Sequence, residues 1–375
     1  MHGAALLVLF FVVGLFLMWN IPLLKGFEFH HKPAGTELPR VSMIIPARNE
    51  AKRIKSLLDS LHRQGYPAFE IIVADDASTD ETATIARERG AKVISIQDVP
   101  DGWLGKSWAC WQGALHSRGD LLLFLDADTW LDQNGLGKII NGFLDAGGLL
   151  TVQPYHVTCT TYEQFSAMVN IVMMAGINAF TPLGKRLKPN GGFGPCMICR
   201  REDYFRVGGH AAVKNELLED MALAKTFAQA GYSLSCFGGL GTIYFRMYPD
   251  GLGELVEGWS KGLALGAGFI NFAFLTLISA WICGCFGVFT ELIRSLQTND
   301  QRATWLWLLL YSLYAVQIHW MLRRIGNFRW WTWVFFPLPL IFFAALMFYS
   351  LIITYFTRQV RWRDRVIPTG TRDKP

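Results

Sequence analysis

An α/β domain with a mostly parallel sheet, flanked by transmembrane helices, is the fold class that the sequence predicts. Three observations predict it. Short apolar strands alternate with amphipathic helices from Val41 onward. Uncharged apolar runs lie at the two ends of the chain. The stretch between them, Val41 to Tyr248, has an ordinary soluble composition, although the whole chain is 51% hydrophobic and only 17% charged.

Residues 4–19, AALLVLFFVVGLFLMW, carry no charge, and the apolar stretch continues to Leu24. That is long enough to cross a bilayer as a helix. A cleaved leader wants a basic start and a small-residue cleavage site. This run has no Lys or Arg before it and ends in Trp19 and Leu24, so an uncleaved anchor is expected. Lys25 and Lys32 follow and place the next segment in the cytoplasm.

Val41 to Pro46 reads as a buried strand and Ala51 to Gln64 as a helix, with Ile54, Leu57, Leu58 and Leu61 on one face. Phe69 to Ala74 is a second strand, ending in Asp75 and Asp76. Asp80 to Arg89 follows as a helix capped by Thr79 or Asp80. Lys92 to Ile96 is a strand, Trp108 to Ser117 a helix, and Leu121 to Leu125 an apolar strand that stops at Asp126. Leu149 to Pro154 is one more strand. Tyr162 to Leu183 is apolar but lies between segments assigned to one site, so a surface or groove-lining helix fits better than a span. Candidate spans follow at Phe269 to Ile293, Thr304 to Leu322 and Thr332 to Phe356, with Trp305, Trp307, Trp330, Trp331 and Trp333 near their ends. The expected division is an anchor over 1–24, a soluble domain over 40–262, apolar helices over 265–357 and a basic tail over 358–375.

The net charge is +5, with basic clusters at 25–32, 323–329 and 358–365 that all flank apolar runs. Such clusters suit anionic headgroups and exclude a nucleic-acid reading. Four spans with a cytoplasmic domain put Arg323, Arg324 and Arg329 inside but Arg358, Arg361, Arg363 and Arg365 outside. Pro337 and Pro339 lie in the last run, so a re-entrant or interfacial segment that returns the tail to the cytoplasm stays open. The seven cysteines form no framework. Cys196 and Cys199 are one CxxC pair without a partner at zinc-site spacing, which leaves reduced thiols as the expectation.

Asp126-Ala127-Asp128 closes the strand LLLFL. Ligands of open parallel sheets bind beyond the carboxyl ends of strands. Two carboxylates there can hold Mg²⁺ or Mn²⁺, with diphosphate oxygens and water completing the shell. Pro46-Ala47-Arg48-Asn49-Glu50 and Asp75-Asp76-Ala77-Ser78-Thr79-Asp80 follow the first two strands, where a nucleotide would lie. Each loop alone also reads as a polar turn with a helix cap. An aspartate here can accept a hydrogen bond from a uracil ring nitrogen, and helix N-termini can face phosphate.

The set PARNE, DDASTDET and DAD resembles family 2 glycosyltransferases, and the resemblance spans nearly the whole chain. It implies a GT-A, Rossmann-like fold and a nucleotide-sugar donor. By position it puts nucleotide-sugar contacts on Pro46, Arg48, Glu50, Asp75, Asp76, Lys106 and Asp126, and the metal on Asp126 and Asp128. The family's carboxylate motif, about 90 residues beyond the metal motif, falls on Glu219 and Asp220, with Asp220 as general base. An acid at a helix start is also a plain dipole complement. Gly191-Gly192-Phe193-Gly194 resembles the family's glycine-rich segment near the donor sugar, which implicates Gly192. The QxxRW motif of polymer-forming members is absent. Glu257-Gly258-Trp259-Ser260-Lys261-Gly262 stands there, and Trp259 and Lys261 are its candidates for covering the diphosphate.

Within the family, DGWLGKSWACWQGA, LLTVQPYH, REDYFRVGGH and FRMYPDGLGELVEGWSKGLALGAG resemble the bacterial 4,4'-diaponeurosporenoate glycosyltransferases. The implied reaction moves glucose from UDP-glucose onto the carboxylate of a C30 carotenoid acid, by inverting displacement at a membrane. Phe165, Met168, Met173, Met174 and Phe180 are candidates to line the entry of such an acceptor. A carboxylate acceptor is already ionised at neutral pH, so Asp220 would orient more than deprotonate. His156 and His210 read as structural. Other membrane-lipid acceptors, and a non-catalytic scaffold, are the rival readings. Oligomeric state is left open.

Overall fold

The computed structural model describes residues 2–26, 38–354, 359–362 and 365–368. Lys32, Arg358 and Arg363 of the expected basic clusters, and the end of the last expected span at Phe356, lie outside the described residues. In chain order the elements are α1 (His2–Leu17), β1 (Val41–Ala47), α2 (Ala51–His62), β2 (Phe69–Asp76), α3 (Thr82–Glu88), β3 (Lys92–Ile96), α4 (Gly105–Leu115), β4 (Leu121–Leu125) and β5 (Thr129–Leu131). Then come α5 (Gly135–Ala146), β6 (Leu149–Gln153), β7 (Tyr155–His156), α6 (Ser166–Gly176), β8 (Cys196–Arg200), α7 (Arg201–Arg206), α8 (Glu219–Gln229), β9 (Leu234–Gly238) and β10 (Ile243–Phe245). The last are α9 (Leu252–Ala267), α10 (Phe272–Gln297), α11 (Gln301–Ile325), α12 (Trp330–Val334), α13 (Pro337–Ile352), β11 (Gln359–Trp362) and β12 (Arg365–Pro368).

The chain forms two compact units, one of residues 22–156 and 191–246, the other of 1–21, 157–190 and 247–375. The first is built on a seven-stranded sheet in the order β3-β2-β1-β4-β8-β6-β9. β1 pairs in parallel with β2 and β4, whereas β8 runs antiparallel to β4 and β6. Strands β1 and β4 are apolar at every ladder position except Ser42, because helices cover both faces. Their alternate residues divide cleanly. Met43, Ile45, Leu121, Leu123 and Leu125 pack with Leu57 and Leu61 of α2 and Ile139 and Phe143 of α5. Ile44, Leu122 and Phe124 pack on the other face with Cys110 and Ala114 of α4. Leu123 is wholly buried, and its truncation to alanine costs about 2–5 kcal/mol. After β3 the chain crosses back to lay β4 on the other side of β1, and that reversal opens a crevice at the carboxyl ends of β1 and β4. A three-stranded sheet, β5-β10-β7, completes the unit.

The second unit is helical. α10 and α11, of 26 and 25 residues, are long and apolar enough to cross a membrane. α1 and α13 have 16 residues each, less than the roughly 20 that span a bilayer core. The apolar run at the start therefore leaves its helix after Leu17, and Pro22 and Leu23, already part of the first unit, pair with Gly238 at the end of β9. The last expected span divides into α12 and α13, with Pro337 opening α13 in the first turn, where its missing N–H is not needed. Gly284 and Gly287 let α10 approach α1, since an added Cβ would sit 2.8 Å from Phe10 or 2.7 Å from Leu7. The polar groups inside this bundle bond to one another: Trp281 Nε1 donates to Gln317 Oε1 at 2.9 Å, and Gln317 Nε2 to the Phe11 carbonyl at 2.7 Å. α6, the apolar segment at 166–176, belongs to this unit, and all but one of its eleven residues are buried.

Candidate active site

The loops after β1 and β2 are laced together. Arg48 Nη1 donates to the Asp76 carbonyl at 2.7 Å and lies 3.8 Å from Asp76 Oδ2. Asn49 donates its N–H to Ser78 Oγ at 3.0 Å and accepts from the Thr79 N–H at 2.8 Å. The Glu50 N–H reaches Thr82 Oγ1 at 2.8 Å. Asp80 serves two helices, accepting the Ala51 N–H of α2 and the Thr82 N–H of α3, each at 3.0 Å. Burial pushes its carboxyl up, but the Thr82 hydroxyl and these N–H bonds hold it below the usual range. Asn49 and Ala77 take left-handed backbone, with φ of 53° and 49°. For Ala77 that costs about 1–2 kcal/mol, and the lacing sustains it.

Within this clamp the expected nucleotide residues differ in what they do. Arg48 ties the loops, and Glu50 pairs with Arg53 at 3.3 Å. Asp75, only 6% exposed, keeps Oδ1 buried without a hydrogen-bond partner among the described residues. A buried acceptor left open is costly unless something donates to it.

Beyond β4 the chain turns at once. The Thr129 N–H and Oγ1 both donate to the Asp126 carbonyl, at 3.2 and 2.8 Å, so Asp126 to Thr129 is a tight turn that contains both aspartates. Asp126 Oδ1 lies 2.9 Å from Lys106 Nζ, and the same nitrogen lies 3.0 Å from Glu219 Oε1. Lys106 stands in the first turn of α4, which starts at Gly105 rather than at Trp108 as the apolar spacing suggests. Burial pulls its ammonium down, but Asp126, Glu219 and Asp220 together hold it well above its ordinary value.

Glu219 and Asp220 open α8. Asp220 Oδ2 accepts the Gly194 N–H at 3.0 Å and Oδ1 accepts the Met221 N–H at 2.8 Å. A Cβ on Gly194 would come within 2.6 Å of Asp220 Oδ2, so glycine is required for this approach. Burial, then the neighbouring Glu219 charge, pushes the Asp220 carboxyl up to about 6 against the pull of Lys106. Pro46, Lys106, Asp126, Gly194, Glu219 and Asp220 thus line one cleft. Gly192 is not at that contact. It packs against Thr151 and Ala224, and Gly194 two residues on meets the carboxylate.

His210 also lines the cleft, although its sequence context reads as structural. Burial, with Lys106 nearby, lowers it to about 4, so it is neutral, and its Nδ1 lies 2.8 Å from the Tyr204 hydroxyl. No motif marks it, because a lone histidine carries no spacing. His156 is buried against Phe245 at the edge of the small sheet. Cys196 and Cys199 are free thiols that fall on opposite faces of β8, in different cores, and burial pushes both up. A CxxC in a strand cannot close on one metal. Trp259 and Lys261 belong to the helical unit, where Trp259 Nε1 donates to Ser166 Oγ at 3.0 Å and its ring meets Tyr248.

Among the described residues no three His, Cys, Asp or Glu side chains gather as a metal cage. Asp126 lines the cleft and Asp128 follows two residues on in the same turn; carboxylates are the ligand type that suits a hard cation sharing its positions with phosphate and water.

Comparison with known proteins agrees with this geometry. The family model described as Glycosyl transferase family 2 matches residues 42–208, which run from β1 through α7. The 4,4'-diaponeurosporenoate glycosyltransferase of Staphylococcus aureus (strain USA300) is 36% identical over 345 residues, covering 91% of this chain and 90% of that one. Its counterpart in strain MRSA252 shows the same identity and coverage. Among solved structures, the mannosyltransferase PcManGT from Pyrobaculum calidifontis, in complex with GDP-Man and Mn²⁺, aligns with a TM-score of 0.56 at 19% identity, over 93% of this chain and 98% of that one. The last likeness shows the shared GT-A-type fold. With a relative matched almost end to end, and the aspartates at the ends of β2 and β4 brought to one side of the sheet, the chain belongs to glycosyl transferase family 2 and is a glycosyltransferase.

Proposed function

We propose that this protein is a membrane-bound, inverting glucosyltransferase that moves glucose from UDP-glucose onto the carboxylate of a C30 carotenoid acid, with its catalytic unit in the cytoplasm. The observation that carries the acceptor is the 36% identity over 91% of the chain to a relative named for 4,4'-diaponeurosporenoate. The membrane reading draws support from α10 and α11.

The local geometry supports a division of labour. Asp75 Oδ1, buried and open, accepts the ring N–H of uracil, with Arg48 and Asp76 fixing the loop beside it. Asp126 and Asp128 are the residues that would hold Mg²⁺ or Mn²⁺, and such a cation would supply stabilisation of the negative charge on departing UDP. Lys106 holds Asp126 and Glu219 in place. Gly192 shapes the wall of the donor pocket. Asp220, fixed by two backbone N–H groups, faces the acceptor. A carboxylic acceptor brings its own anion, so the attacking oxygen needs little help from a base. It attacks the anomeric carbon as the bond to UDP breaks.

A UDP-release measurement on membranes containing the protein tests this. UDP-glucose with Mn²⁺ or Mg²⁺ is supplied with and without the carotenoid acid, beside an Asp128→Ala control. Release that needs both the metal and the carotenoid acid, and is lost in the control, supports the reading. Metal-dependent release indifferent to the carotenoid acid would sink the acceptor and keep the transferase.

A further inference from the structure

The end of α11 carries a second cleft, of about 530 Å³, lined by Trp19, Asn20, Thr181, Trp320 and Arg324 among others. All of these belong to the helical unit. The cleft contains a cation, and no carboxylate is among its described lining residues. The Arg324 guanidinium sits 4.1 Å above the Trp320 ring, and its Nη1 donates to the Trp19 carbonyl at 3.2 Å. That bond uses one of five donors. Thr181, 4% exposed, has its hydroxyl buried without a hydrogen-bond partner among the described residues. A guanidinium with donors to spare beside an unpartnered hydroxyl is a site for a tetrahedral oxyanion.

The same helix says where that anion is attached. Leu309, Leu313, Val316, Trp320 and Arg324 follow one another at spacings of three or four, so they share one face of α11. The three aliphatic members are 59%, 41% and 59% exposed. An exposed aliphatic rail thus ends in a tryptophan and then an arginine. This is the order in which a lipid presents acyl chain, interface and headgroup.

We propose that this cleft binds the phosphodiester of an anionic glycerophospholipid, with Arg324 and Thr181 on the phosphate and the acyl chains along Leu309, Leu313 and Val316. The inference rests on the membrane reading given above. A bilayer phosphodiester is favoured over a soluble anion because the rail would otherwise face water. Binding would fix the end of α11 at the depth of the headgroups.

The test uses full-length protein in a neutral detergent, titrated calorimetrically with dioctanoyl phosphatidylglycerol. Saturable binding is expected, weakened about ten-fold or more by Arg324→Gln, the scale for losing charge-assisted bonds. Thr181→Val is expected to weaken it less, and Arg302→Gln, at the other end of α11, not at all. Unchanged melting of the Arg324→Gln protein without lipid, or a partial return of affinity in Arg324→Lys, separates lost binding from lost folding. Equal affinity for dioctanoyl phosphatidylcholine, or an unaffected Arg324→Gln, would overturn the site. Competition by millimolar inorganic phosphate to the same extent would overturn the lipid as its source. Alkaline extraction of native membranes runs alongside. Release of the protein defeats the membrane reading itself, whereas retention without phosphatidylglycerol preference defeats only this inference.

Discussion

The two groups of acidic residues that face the crevice are held in different ways. Around Asp75 and Asp76 the loops are fixed by a lattice of hydrogen bonds to backbone and hydroxyl groups, from Arg48 to the Asp76 carbonyl, from the Asn49 N–H to Ser78, from the Thr79 N–H to Asn49 and from the Glu50 N–H to Thr82, and one buried acceptor is left open. Around Asp126 and Glu219 the side chains are fixed by charge, through one lysine within about 3 Å of both, while Asp220 beside them is held by the Gly194 and Met221 N–H groups. A clamp of hydrogen bonds defines shape and waits for a donor, as recognition of a base requires. A shared cation balances charge, as a site handling a diphosphate requires. The first group then governs affinity for the donor, and the second governs turnover.

Substitutions can break that contrast. The largest effect belongs to Asp128→Ala, which should lower UDP release on the order of 10³-fold while leaving the melting temperature close to native. Asp220→Asn comes next and sharpens the acceptor question. With a carboxylic acceptor, turnover should fall about ten-fold or less, and the loss of activity as pH drops through about 6 should be shallow. A loss of 10²–10⁴-fold, of the order of general-base catalysis, would mark a hydroxyl acceptor. The sign follows from burial. A carboxyl raised to about 6 is protonated below that pH, and folding is favoured on the acid side of the window between its ordinary value and 6.

Lys106→Met leaves Asp126 and Glu219 without their cation. The side chains involved are 24%, 26% and 11% exposed, so the expected cost is about 2 kcal/mol of stability, below that of breaking a fully buried pair. Chemical denaturation reads it, and turnover falls with it. Asp75→Asn should raise KM for the UDP-sugar about ten-fold with kcat nearly unchanged. Equal losses in both would erase the distinction between the two groups. Asn49→Ala is the smallest, about 1 kcal/mol in stability from the lost clamp bond, read as a small drop in melting temperature.

Much of the first group could be read from the chain. β4 is the run Leu121 to Leu125 that pure apolarity marks, and β1 and β2 begin where expected. The cap position of α3 falls on Glu81 rather than on Thr79 or Asp80, but Asp80, one residue earlier, accepts the first N–H of α3 and the first N–H of α2 as well. The bond to α2 joins residues 29 positions apart, which no local spacing marks. Helix starts were read less well. α4 begins with Gly105 and Lys106, ahead of the apolar residues that betray it. Lys106 was therefore placed by resemblance, and its pairing with Glu219 appears only in three dimensions. Apolar length likewise overstates α1, which ends at Leu17, and the last span, which divides just before Pro337.

By itself the sequence determined the alternation of strands and helices, the positions of the acidic strand ends and the long apolar helices, because period and burial are local properties of composition. Only the tertiary structure decided which acids share a lysine, which glycine meets Asp220, and which acceptor stays open. Those depend on approaches between segments far apart in the chain. Hydrogen bonds and ion pairs of that kind are set by distance in space, on which the spacing of residues along the chain carries no information.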